Sequence, residues 1–75
     1  MPLQNNLKEY RAKMNLNQQQ LGTLVGASRQ TISLIERGDY SPSVTLELKI
    51  AKVFDAKVEN LFSVEEERKG KENEQ

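Results

Sequence analysis

The stretch GTLVGASRQTI, residues 22–32, leaves its backbone few options. Leu21, Leu24 and Val25 recur at the spacing of one helical face. Gly26 stops that helix, because glycine adopts a positive φ at the least cost. Only Ala27 separates this stop from Ser28, a residue suited to cap a new helix. Two short helices joined so tightly must cross at a steep angle. Such a crossing needs a small residue where the elements approach, which Gly22 supplies, and an apolar side chain to fill the angle, which Ile32 supplies.

The flanking segments read as further helices. Leu7, Tyr10 and Met14 share one face of a helix over residues 6–14, with Asn5 or Asn6 available to cap it. Asn17 and Gln20 have the spacing of a capping box at the start of the helix that Gly26 ends. After the turn-rich GDYSPS (38–43) comes VTLELKIAKVF (44–54), capped by Ser41 with Pro42 at the first helical position, or by Ser43. Its apolar arc is wide, and only Thr45, Lys49 and Lys52 form a clean polar wedge, which predicts the central core helix. Asp55 ends it, and VENLF (58–62) predicts one last helical turn. The expected fold is all-α, five helices in one domain over residues 1–64. The flanks MPLQ and SVEE are extended in character, and a short pairing between them is left open. EEERKGKENEQ (65–75) has no apolar residue and reads as a mobile charged tail.

At 75 residues the chain can build only one small core. It has no Cys and no His. That excludes disulfides, Cys/His zinc sites and every nucleophile–His arrangement. The carboxylates fall on solvated faces or in the tail without a nucleophile–base pair, so no enzyme is expected. No apolar run approaches the roughly 20 residues of a membrane span, and MPLQNNLKEY lacks the apolar core of a signal peptide. The cytoplasm is the expected location. The zero net charge is unevenly placed: residues 1–64 carry eight Lys and Arg against six Asp and Glu, and the tail carries three against five. A mildly basic domain gives weak support for a nucleic-acid partner.

The helix that Ser28 begins has two faces. At about 100° per residue, Ile32, Ile35 and Glu36 point inward or to the side. Arg29, Gln30, Ser33, Leu34 and Arg37 cover the opposite arc. Gln and Arg suit base edges because each presents two hydrogen-bonding groups in one plane, Gln to adenine and Arg to guanine. Residues 18–37 therefore read as a helix–turn–helix whose second helix enters the major groove of DNA. Ordinary solvation would explain such residues on a lone helix, but not the glycine spacing beside them.

Over residues 7–62 the pattern LNQ, LG, VGASRQTIS, IE, G, PS and LKIAKVF, in that order, resembles the Cro/cI-type helix–turn–helix regulators, the Xre family. The resemblance implies a compact five-helix bundle of the lambda-repressor-like DNA-binding type. It is similar to small dimeric members such as the cytolysin repressor, in which short terminal strands extend the bundle. It also implies that Gln18 binds a phosphate or supports a recognition-helix side chain. Ser28, Arg29, Gln30 and Thr31 then form the front of the recognition helix, with Ser33, Leu34 and Arg37 further along its outer face. Tyr40 lies in the loop that touches the DNA backbone.

Three departures from the family pattern stand out. Leu34 replaces a frequent polar residue; it is either an ordinary exposed leucine or, in the sharper reading, one that makes an apolar contact to a thymine methyl. Glu47 replaces a small apolar residue and belongs at the edge of the arc, exposed or paired with a Lys or Arg. Lys57 stands where a Ser or Thr would cap the last helix, so that helix either frays or leans on subunit contacts from Val58, Leu61 and Phe62. Phe62 and Val64 either close the chain's own core or, as favoured here, find cover at a dimer interface. The function expected is that of a sequence-specific, double-stranded DNA-binding transcriptional regulator, a repressor acting as a homodimer on an inverted repeat. It needs no cofactor, small-molecule ligand or membrane. The competing readings are an antitoxin or restriction-system controller on the same fold, and a protein-interaction module without DNA binding.

Overall fold

The computed structural model describes residues 3–64. The expected tail 65–75 and the residues Met1 and Pro2 lie outside the described residues. Five helices follow one another: α1 (Leu7–Lys13), α2 (Gln18–Val25), α3 (Arg29–Glu36), α4 (Val44–Phe54) and α5 (Val58–Leu61). They lie between two short strands, β1 (Leu3–Asn5) and β2 (Phe62–Val64). The strands pair antiparallel, with Leu3 opposite Val64 and Asn5 opposite Phe62. The pairing of the flanks thus forms, and it continues into Asn6, whose N–H donates to the Leu61 carbonyl at 2.9 Å.

Local chemistry sets the helix ends. Asn17 closes a reciprocal capping box with Gln20, while Ser28 and Ser43 accept hydrogen bonds from Thr31 and Leu46 N–H. Ser43, not Ser41, is therefore the cap of α4. Asn6 occupies the cap position of α1 without a side-chain cap bond. Asn5, one residue earlier, accepts from Leu7 N–H instead, and the Asn6 amide donates to the Asn60 carbonyl. Lys57 precedes α5 with no side-chain cap, as its chemistry requires.

Gly26 ends α2 at φ 75°. At Gly22 a Cβ would lie 2.5 Å from the Ala27 carbonyl oxygen. The residue must be small because the turn itself folds back over it, before α3 begins.

The core comprises Leu7, Leu21, Val25, Ile32, Ile35, Ile50, Ala51, Phe54, Leu61 and Phe62. Tyr10 of α1 packs its ring against Phe54 of α4, centroids 5.4 Å apart. Burial corrects the sequence reading in three places. Met14 and Leu24, expected on buried stripes, are exposed. In α4, Val44 (70% exposed) and Leu48 (57%) stand out in solvent. That helix has a second apolar side, which the other described residues leave exposed. Glu47 is half-buried at the edge of the arc, with no ion pair among the described residues.

Candidate nucleic-acid interface

The C-terminal end of α3 is held from three sides. The Asn5 amide of β1 donates to the Ile35 carbonyl at 2.7 Å. Arg11 of α1 grips the Glu36 carboxylate with two bonds, Nε to Oε2 at 2.6 Å and Nη2 to Oε1 at 2.9 Å. Its remaining Nη1 donates to the Leu16 carbonyl in the α1–α2 turn. Gln18, at the start of α2, donates from Nε2 to Glu36 Oε1 at 3.1 Å. Both charged side chains are almost wholly covered, Arg11 at 13% exposure and Glu36 at 7%. Burial pushes the Glu36 carboxyl up. The hydrogen bonds from Arg11 and Gln18 and the charges of Arg11 and Lys8 outweigh it, so the group sits below its ordinary value. The hydrogen bond to Glu36 raises the Arg11 guanidinium above its own ordinary value, against the opposing effect of burial.

With its inner side fixed, α3 turns the expected residues outward. Arg29, Gln30, Ser33, Leu34 and Arg37 line one shallow depression of about 290 Å³. All five members of the outer arc are thus brought together. Leu34 and Ser33 are half-buried in it, while Arg29, Gln30 and Arg37 are exposed. Ser28 and Thr31 sit at the front of the helix with their hydroxyls 2.9 Å apart. Both are engaged in the cap, which fixes them in place. Tyr40 is exposed on the loop between α3 and α4. Gln18, bonded to Glu36, does not line the depression.

Two of the four residues assigned to a dimer contact need correction. Leu61 and Phe62 are buried in the chain's own core, because the β1–β2 pairing folds this end over the bundle. Val58 packs partly against that core, and only Val64 is exposed.

Sequence reasoning missed Arg11, Glu36 as its partner, and the hold of Asn5 on α3. A signal for the first two was present: a glutamate on the inward side of α3 needs a cation, and Arg11 lies on the helix that covers it. Among the described residues no group of three or more His, Cys, Asp or Glu side chains is placed to hold a metal. None of the helices described is long and apolar enough to cross a membrane.

Residues 7–61 match the model of a helix-turn-helix family. An uncharacterized HTH-type transcriptional regulator of Bacillus subtilis, YgzD, is 49% identical over 65 residues, which are 87% of this chain and 98% of the relative. A similarly described regulator of Archaeoglobus fulgidus is 49% identical over 61 residues, 81% of this chain and 86% of that one. Among solved structures, the restriction-modification controller protein C.AhdI of Aeromonas hydrophila superposes with a TM-score of 0.66 at 31% identity, covering 72% of this chain and 82% of its own. A putative DNA-binding protein of Bacteroides fragilis shares the fold, with a TM-score of 0.72 at 23% identity over 81% of this chain and 98% of that one.

Proposed function

The chain belongs to the Xre-type helix–turn–helix family of transcriptional regulators, and from that premise we propose that it represses transcription as a homodimer on an inverted-repeat operator. The observation that carries this reading is the depression on α3, lined by Arg29, Gln30, Ser33, Leu34 and Arg37. Recognition helices of two copies enter successive major grooves on half-sites about 34 Å apart. Gln30 offers its amide to an adenine edge and Arg29 its fork to a guanine. Leu34 packs on a thymine methyl. Ser28, Thr31 and Tyr40 meet phosphates, and Gln18 supports the helix through Glu36.

For the second copy, Val64 and the exposed part of Val58 remain available. The exposed Val44 and Leu48 add to them, with Leu48 bordering a depression that reaches Lys57, just before α5, and Asn60 of α5. The cytoplasm is the place of action in this reading, and no cofactor takes part. A second reading, a controller of a restriction system, is favoured by the likeness to C.AhdI.

Selection of duplexes from a randomised library, followed by titration of the winning duplex at rising salt, tests the proposal. A palindromic consensus, bound with an affinity that falls steeply with salt, is the expected result. A protein that enriches no sequence is not such a regulator. Neighbouring restriction and methylation genes, with binding upstream of them, would favour the controller reading.

A further inference from the structure

We infer that Asp39 is a positioning residue that turns Arg37 into a reader of guanine. This rests on the DNA-binding reading above and adds a specific base preference to it. The end of α3 is built to place this carboxylate. Gly38, at φ 80°, donates its N–H to the Ile35 carbonyl at 3.0 Å, and Asp39 donates its N–H to the Leu34 carbonyl at 2.9 Å. These two bonds form a Schellman motif, so the backbone of Asp39 is pinned to the last turn of the recognition helix. From there Asp39 Oδ2 lies 3.2 Å from Arg37 Nε, an ion pair. Arg37 also lines the depression that holds Gln30 and Leu34.

The contact uses one edge of the guanidinium and leaves the Nη1–Nη2 fork for another partner. Two partners have the paired acceptors that such a fork matches: a phosphate, and the O6 and N7 atoms of guanine. Charge decides between them. The Arg37–Asp39 unit is neutral overall, and its carboxylate repels a phosphate brought to the same fork. A guanine edge is itself neutral and meets no such repulsion. Holding Nε beside Asp39 also reduces the rotamer freedom lost when the Nη1–Nη2 fork engages a base.

The experiment begins with the duplex selected by the wild-type chain and compares it with duplexes changed one base pair at a time. Asp39→Asn keeps the side-chain shape and removes the charge. Its expected effect is about a tenfold loss of discrimination at one G·C position, with other positions and the melting temperature unchanged. Arg37→Lys keeps the positive charge and removes the fork. It is expected to lose discrimination at the same position, while the slope of affinity against salt stays as in the wild type. Uniformly tighter binding by Asp39→Asn at every sequence would overturn the inference, since Asp39 would then only hold Arg37 back from phosphate. Unchanged discrimination by both variants would overturn it too. If the wild-type chain selects no duplex, the DNA-binding reading itself fails, and that result is distinct from either.

Discussion

Two arginine–carboxylate pairs occupy the same end of α3, and their surroundings are opposite. Arg11–Glu36 lies between three helices with both side chains nearly covered, whereas Arg37–Asp39 stands in solvent with exposures of 62% and 59%. The inner pair has two direct bonds, a third partner in Gln18 and a carbonyl on the remaining arginine nitrogen. The outer pair has one contact among the described residues, between Nε and Oδ2. A largely covered pair is costly to break, because removing one member leaves the other with little access to water. An exposed pair contributes little to stability in either state, because solvent replaces the lost partner. The same chemistry therefore fixes the helix on its inner side and leaves it free to engage a ligand on its outer side.

Breaking the inner pair should give the largest effect. Glu36→Ala strands the Arg11 guanidinium and is expected to destabilise the chain by about 3 kcal/mol or more, read from the midpoint of a urea titration. A loss under about 1 kcal/mol would mean that the two pairs are equivalent.

Acid should weaken the inner pair next. The Glu36 carboxyl is held below its ordinary value in the folded chain, so its contribution is fully present above the unfolded value of about 4.3. It is lost as pH falls through the lower folded value. Stability followed by circular dichroism should fall with acid through that window in the wild type, and less steeply in Glu36→Gln.

Removing the Gln18 amide takes one hydrogen bond from a charged acceptor that keeps two others. Gln18→Ala should cost about 1 kcal/mol, measured by thermal unfolding. Smallest of all, Asp39→Ala is expected to stay within about 0.5 kcal/mol of the wild type. A larger loss would place the outer pair among the structural contacts and erase the contrast.

Much of the fold was legible in the sequence where the causes are local. The capping box of Asn17 and Gln20, the stop at Gly26 and the cap at Ser28 involve residues within a few positions of one another, and they form as the pattern implies. The outer arc of α3 follows from the period of one helix and emerges as a single lined depression. The inner pair joins residues 25 positions apart, and no local period reports on that. Helical periodicity also marks which faces are apolar without saying which of them a neighbour covers. Leu61 and Phe62 therefore read like surface seeking cover, yet the strand pairing buries them. Val44 and Leu48 read as core, yet α4 turns them outward.

The claim at the centre of this account is that a rigidly held α3 presents its outer face to DNA base edges. Gln30→Ala tests it most directly, since Gln30 is exposed in the depression and contributes nothing to the core. Binding of the variant to the wild-type chain's selected duplex and its single-pair variants should lose about tenfold discrimination at one A·T position, with an unchanged melting temperature. A variant that keeps the full sequence preference of the wild type would contradict the account.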